Sequence, residues 1–96
     1  MVRAEAVVRN PTGLHMRPAM VIVKTAGRYR SHIEVCFDDA VVNAKSLMGL
    51  LTLGAGKGTR LTVAADGADE REALAAMLDA ISWMEEDEQE MEQTDG

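Results

Sequence analysis

One histidine and one arginine in this chain are spaced so that together they could handle a phosphate group. His15 and Arg17 are separated by a single residue, and Pro18 follows directly. Apolar residues then recur at helical spacing, which predicts a helix that begins near residue 16 and ends where Gly27 interrupts the pattern. Pro18 would lie in the first turn of that helix, where backbone N–H groups lack intrahelical partners and proline is well tolerated.

The predicted position of His15 at the amino end of a helix has chemical consequences. Free N–H groups and the positive end of the helix dipole favour an anion there. The same field disfavours an imidazolium, so we expect a neutral ring with a nucleophilic nitrogen. The guanidinium of Arg17 is a planar, permanently charged fork that suits phosphate. The pattern indicates a histidine that can accept a phosphoryl group; the simpler alternative is a capping histidine beside a surface arginine.

The bulk composition limits the kinds of protein this chain can be. It has 96 residues, two histidines and one cysteine. The length predicts one domain, and the counts exclude an internal disulfide and give no recognised metal-ligand spacing. Because no apolar run is long enough to cross a bilayer and the first residues show no signal-peptide pattern, we expect a cytoplasmic protein without membrane insertion.

Charge is unevenly distributed along the chain. The net charge is −6, yet residues 1–60 carry nine Lys/Arg against four Asp/Glu, whereas residues 85–96 carry seven acids and no base. We interpret residues 85–96 as an acidic, disordered tail, and the basic part as suited to acidic partners or phosphate. Few aromatic residues and no long basic run argue against nucleic acid. The glycine-rich stretch 54–58 lacks the spacing of a nucleotide-binding loop.

Alternating and helical patterns give the order of the elements. Alternation of apolar and polar residues predicts strands over 2–9, 32–37, 40–43 and 60–66. Helical spacing predicts helices that begin near residues 16, 47 and 69, the last with a capping box and ending near residue 84. The order β-α-β-β-α-β-α predicts one α+β domain over residues 2–84, in which helices cover one face of a four-stranded antiparallel sheet.

A few residues outside the main motifs also have predicted positions. Asp38 and the aspartate after it predict the turn of a hairpin, although the usual glycine is missing. Leu50 and Leu53 are expected in the core. His32 and Cys36 are expected on the uncovered face of the sheet, and we assign neither a role.

Two stretches of the sequence resemble a known family. Residues 13–19, Gly-Leu-His-Met-Arg-Pro-Ala, are similar to the active-site signature of HPr, the histidine-containing phosphocarrier of the phosphoenolpyruvate-dependent sugar phosphotransferase system (PTS). Residues 43–51, Asn-Ala-Lys-Ser-Leu-Met-Gly-Leu-Leu, resemble that family's regulatory-serine region. A third stretch, 56–58 before the last predicted strand, also fits, and the resemblance covers residues 2–84 without a gap.

The resemblance implies an HPr-like open-faced β-sandwich and a carrier function. Enzyme I, charged by phosphoenolpyruvate, would pass a phosphoryl group to Nδ1 of His15, and Arg17 would steady the phosphate. The group would then pass to enzyme IIA domains and on to sugar. The resemblance also implies no metal or organic cofactor, and a phosphorylated intermediate rather than a stand-alone catalyst. We expect a monomer.

Ser46 is a second candidate site. It precedes an apolar helical turn, which is the signal of a helix N-cap. The resemblance implies that in relatives with a bifunctional HPr kinase/phosphorylase the matching serine is phosphorylated. A phosphate there would add negative charge near the partner-binding face. Two functions therefore stay open: a phosphocarrier for sugar uptake, or an HPr-like regulator in an incomplete phosphotransferase system.

The resemblance also places a set of side chains where partners would dock. Exposed methionines suit several partners because they repack easily. Met16 departs from the small residue usual in the family, and would either narrow access to His15 or add contact surface. The candidate partner-binding residues are Met16, Met20, Lys24, Lys45, Leu47, Met48 and Leu51.

Overall fold

The computed structural model describes residues 1–9 and 11–81. Within them the elements follow the predicted order β-α-β-β-α-β-α, which confirms the α+β assignment. The predicted tail, 85–96, and the last predicted helical residues, 82–84, lie outside the described part. The strands are β1 (Val2–Val7), β2 (His32–Phe37), β3 (Ala40–Asn43) and β4 (Arg60–Asp66); the helices are α1 (Met16–Ala26), α2 (Leu47–Thr52) and α3 (70–81).

The four strands form one antiparallel sheet in the order β1-β4-β2-β3. The central strand β4 pairs with β1 from Val2 opposite Ala65 to Val7 opposite Arg60, and with β2 on its other side. The outer strands β1 and β3 are therefore the two edges of this sheet.

The two-residue turn between β2 and β3 is the predicted hairpin. Phe37 pairs with Ala40 across it, and Asp38 has a φ of 53°. Aspartate enters this left-handed conformation more readily than most residues because its short side chain can hydrogen-bond locally. The hairpin therefore forms here without a glycine.

Side-chain alternation gives the sheet one buried face and one uncovered face. The strands contribute Ile33, Val35, Leu61 and Val63 to the core, and the helices contribute chiefly Ile22, Leu50, Met77 and Ile81. Leu50 and Leu53 are buried, as expected from the sequence. On the uncovered face His32 is exposed and Cys36 is half-buried, which also confirms their predicted positions.

The first strand is shorter than the predicted range 2–9. Its ladder with β4 ends at Val7, although Val8 still points into the core and is fully buried. The Val8 N–H donates to the carbonyl of Thr59 at 2.9 Å, and its own carbonyl accepts from Gly58 at 2.8 Å. The apolar alternation in the sequence extends to Val8 because its side chain is buried. The strand itself ends earlier, because the backbone of Val8 bonds to the loop before β4.

Asp69, at the start of α3, has a different role from the predicted capping box. Its carboxylate reaches the loop after α1, where it accepts hydrogen bonds from the Arg30 N–H (2.9 Å), the Ser31 N–H (2.9 Å) and the Ser31 hydroxyl. The Ser31 hydroxyl and then the Arg30 N–H lower the pKa of Asp69 from 3.8 to about 2. Asp69 therefore fastens the start of α3 to the segment that leads into β2.

Candidate functional site

His15 stands immediately before α1, where the sequence placed it. It is the N-cap residue, with extended backbone (φ −98°, ψ −168°), and its carbonyl accepts the first helical hydrogen bond from the Ala19 N–H at 3.0 Å. Its side chain is half-buried, while Met16 and Arg17 beside it are exposed. The ring therefore lies at the amino end of an 11-residue helix and is open in part to solvent.

The segment just before His15 is held against the loop that precedes β4. Leu14 is buried, and its N–H donates to the carbonyl oxygen of Ala55 at 2.8 Å. Gly13 has a φ of +74°, and a Cβ added there would lie 2.5 Å from that same oxygen and 2.9 Å from the Cα of Gly56. Only glycine satisfies both the conformation and the close approach.

This support from the loop before β4 could not be predicted from local sequence patterns. In the sequence, Gly13 is one residue of the signature 13–19, and the glycine-rich stretch 54–58 shows no local link to it. The feature of the sequence that could have indicated this support is a pair of glycine-containing loops, one after the first strand and one before the last strand. Because β1 and β4 are adjacent, their loops meet behind His15.

The charges of the first helical turn favour an anion at the site. The first turn of α1 contains no acidic residue, and Arg17 is its second residue. Pro18 and Ala19 are buried and fix the turn against the core. The backbone N–H groups, the helix dipole and the guanidinium therefore all favour negative charge beside His15.

An exposed apolar surface continues from the site along α1 and across to α2. Met16 is 52% exposed, Met20 one turn later is 42% exposed, and Met48 on α2 is 70% exposed. A groove of about 200 Å³ joins the two helices, lined by Met20, Val23, Lys24 and Leu47. We call the residues Met16, Met20, Leu47, Met48 and Leu51 the methionine patch.

Ser46 is the N-cap of α2, as predicted. It has extended backbone (φ −108°, ψ 111°), and its hydroxyl accepts a hydrogen bond from the Gly49 N–H at 3.1 Å. The residue is half-buried, so part of it remains open to solvent. This position next to the methionine patch places it where a modification would alter the charge of that surface.

A family model described as the PTS HPr component phosphorylation site matches residues 2–82. The chain belongs to the HPr family. Members of this family are phosphocarriers rather than catalysts. Family membership thus agrees with a fold and a histidine position that were argued from the residues alone.

Solved structures of HPr and of a related protein superpose well on this chain. HPr-C-His from Thermoanaerobacter tengcongensis is 41% identical, with a TM-score of 0.84 over 88% of this chain and 96% of that one. HPr from Bacillus anthracis is 37% identical, with a TM-score of 0.78 over 82% and 94%. The Bacillus subtilis catabolite repression protein Crh, described with a swapped domain as a dimer, is 41% identical, with a TM-score of 0.70 over 85% and 94%.

The two lysines predicted to bind partners are placed differently in this HPr fold. Lys24 is exposed on α1 and lines the groove with Met20. The ammonium of Lys45 donates to the carbonyl oxygen of Tyr29 at 2.9 Å, near the end of α1. Lys24 is thus a part of the surface around the methionine patch. Lys45, in contrast, links the segment before α2 to the loop between α1 and β2.

The second histidine of this HPr-family chain differs from the first in its surroundings. His32 is exposed on β2, and its Nε2 lies 2.9 Å from a carboxylate oxygen of Glu34. It is a strand residue and not a helix N-cap, so it does not lie at a helix amino end as His15 does. In the described part of the chain, no helix has the length and apolar character needed to cross a membrane.

Proposed function

We propose that this HPr-family protein is a phosphocarrier of the phosphotransferase system and that His15 is its phosphoryl acceptor. The observation that carries the proposal is a half-buried imidazole, open in part to solvent, at the amino end of α1, whose first turn contains Arg17 and no acid. Part exposure suits a carrier because two different proteins must reach the same ring in turn. A stand-alone catalyst would instead need a closed site that excludes water.

The transfer itself requires only positioning and charge neutralisation. The lone pair of Nδ1 on the His15 ring attacks the phosphorus of phosphorylated enzyme I. The bond from His15 to phosphorus forms as the bond between phosphorus and its donor atom on enzyme I breaks. The negative charge of the phosphoryl group then lies beside the first-turn N–H groups and the Arg17 guanidinium, which stabilise it. In the next step phosphorylated His15 is the donor, and an enzyme IIA domain accepts the phosphoryl group.

The methionine patch is the surface that we assign to enzyme I and enzyme IIA. It begins at Met16, directly after the acceptor, and continues through Met20 to α2. Flexible, polarizable methionine side chains can pack against two differently shaped partners. Lys24 adds a positive charge at the edge of this surface. Met16 is then a contact residue rather than an obstacle to His15.

We also propose that the carrier acts in the cytoplasm as a monomer. Phosphoenolpyruvate and a soluble enzyme I would be met there, and the uncovered sheet face carries charged side chains, including Arg3, Glu5 and Glu34. Charged residues are depleted at the centre of stable protein interfaces, so this face does not favour a permanent dimer. The Crh dimer makes sedimentation analysis the direct check.

Labelling with enzyme I and radioactive phosphoenolpyruvate tests the carrier function. We expect one acid-labile phosphoryl group on the wild-type protein and none on His15→Ala. His32→Ala is the matched control, because it removes the other histidine of the chain and should label like the wild type. Retained label in His15→Ala, or no label on the wild type with any enzyme I tried, would contradict the proposal.

A regulatory function is the second candidate, favoured by the position of Ser46 and the similarity to Crh. Here an HPr kinase would phosphorylate Ser46, and the protein would control a kinase or a transcription regulator in an incomplete phosphotransferase system. Incubation with ATP and HPr kinase should then give an acid-stable phosphate that is absent in Ser46→Ala. Thr52→Ala, an exposed hydroxyl residue on the same helix, is the control.

A further inference from the structure

A second groove lies where β1 meets the end of α3, and it shares no residue with the methionine patch. Its volume is about 500 Å³. Its floor is apolar and is formed by Ala6, Val7, Leu78 and Ile81. Its rim is basic and is formed by Arg9 and Arg60.

The groove wraps around the free edge of the sheet. Ala6 points towards the core side of β1 and is half-buried, whereas Val7 points to the other side and is 37% exposed. A groove that includes both must pass around the strand, and β1 is an edge strand in the described sheet. Exposed apolar edges invite pairing with other chains, so natural proteins usually cover them.

The charge of the groove favours an acidic occupant. Arg9 and Arg60 are both exposed, and neither forms an ion pair with another described residue. Among the described residues of the lining, Glu5 is the one acid beside two arginines, so this part of the groove has an excess of positive charge. Together with the apolar floor, this fits a segment that combines large apolar side chains with carboxylates.

The chain itself continues with such a segment. The described part ends at Ile81, which is in the wall of the groove. Trp83 and Met84 follow within three residues, and residues 85–96 contain seven acids and no base. A segment tethered this close reaches an effective concentration on the order of millimolar, so even weak contacts would keep it in place.

We propose that residues 83–90 bind this groove within the same molecule and cover the edge of β1. Trp83 and Met84 pack on the apolar floor, and the carboxylates that follow pair with Arg9 and Arg60. The acidic segment thereby protects β1 from pairing with other chains. This inference does not depend on phosphoryl transfer by His15, so the two can fail separately.

Paramagnetic relaxation in the full-length chain tests the proposal. A nitroxide is attached at position 94 through Thr94→Cys in a Cys36→Ala background, and amide intensities are compared before and after reduction of the label. We expect strong broadening at Val7, Arg9 and Arg60, and little at Val41 on the opposite edge. Raising the salt to about 1 M, where the Debye length is about 3 Å, should restore most of the lost intensity.

Charge variants identify the groove as the binding surface. The double variant Arg9→Glu with Arg60→Glu should lose the broadening. Arg3→Glu changes an exposed arginine of β1 that is outside the groove, and it should keep the broadening. If the double variant unfolds, replacing Glu85, Glu86 and Glu88 by glutamine tests the same contact from the other side. Broadening around His15, no localised broadening, or transfer of broadening to unlabelled chains in a mixture would each overturn the proposal.

Discussion

The backbone at Gly13 stands against the carbonyl oxygen of Ala55, so closely that a Cβ at position 13 would lie 2.5 Å from it. The same oxygen accepts the Leu14 N–H at 2.8 Å. The loop before β4 therefore supports the residues that lead into His15. This contact helps to fix the approach of the chain to the amino end of α1.

Replacing Gly13 by alanine should damage both the fold and the proposed transfer. The left-handed φ of +74° and the overlap with Ala55 together predict a loss of roughly 2–4 kcal/mol in the free energy of unfolding. Because relief of the overlap must move the segment before His15, the rate of phosphorylation by enzyme I should also fall. Urea unfolding and initial labelling rates measure the two effects.

Gly54→Ala is the control for Gly13→Ala. Gly54 has a similar φ of +64°, yet a Cβ there would meet nothing within 4 Å. It should therefore show only the conformational strain, about 1–2 kcal/mol, and keep the wild-type labelling rate. Equal losses in the two variants would mean that the contact with Ala55 has no separate effect.

The stabilisation from Asp69 should depend on pH in a direction set by its lowered pKa. Hydrogen bonds from Ser31 and Arg30 bring that pKa from 3.8 to about 2, so the unfolded chain binds the proton more tightly than the folded one. The contribution is complete above the unfolded value and is lost as the pH falls through the folded one. The difference in urea midpoint between wild type and Asp69→Asn should shrink from about pH 5 to about pH 2.

A matched substitution separates this effect from a general loss of negative charge. Asp79→Asn removes an exposed carboxylate from the same helix and should follow the wild-type pH profile closely. A difference between wild type and Asp69→Asn that stays constant over this range would contradict the assigned hydrogen bonds.

Gly49 should not behave like an ordinary helix glycine. Replacing an exposed helix glycine by alanine usually stabilises a protein by about 1 kcal/mol. Here a new Cβ would lie 3.2 Å from the Cβ of Val42 and 3.3 Å from the hydroxyl of Ser46. We therefore expect Gly49→Ala to give no gain in thermal stability. A full gain in the wild-type background would show that Val42 yields freely.

Met48 should matter for partner binding and not for stability. It is 70% exposed, so Met48→Ala should change the unfolding free energy by less than about 0.5 kcal/mol. If the methionine patch contacts enzyme I, the KM for phosphorylation should rise roughly 5- to 30-fold, as for an interface residue worth 1–2 kcal/mol. Val41→Ala, 57% exposed on β3 outside the patch, should leave the KM unchanged. Equal KM values in the two variants would remove the patch from the interface.

The helices and strands were predicted well because their hydrophobic patterns depend only on residues that are close in sequence. The strand predicted over 32–37 is β2, and the helix predicted from the spacing after His15 is α1. The position of His15 at a helix start needed only the proline, the glycines and that spacing. The resemblance of residues 13–19 to a family signature then pointed to the same chemistry.

Contacts between distant parts of the chain could not be predicted in this way. The carboxylate of Asp69 looked like a local cap, and its partners Arg30 and Ser31 are 39 and 38 residues away. No residue near Gly13 in the sequence indicates its contact with Ala55, because the two meet through the pairing of β1 with β4. Such contacts depend on strand order and leave no regular spacing in the sequence.

The central claim is that His15 alone carries the phosphoryl group, and NMR of the phosphorylated protein tests it most directly. The uniformly ¹⁵N-labelled chain is phosphorylated with enzyme I and phosphoenolpyruvate, and coupling between phosphorus and the ring nitrogens is recorded for both histidines. We predict coupling at Nδ1 of His15 and unchanged nitrogens at His32. Coupling at His32, or a phosphorylated chain in which His15 shows none, would contradict the account.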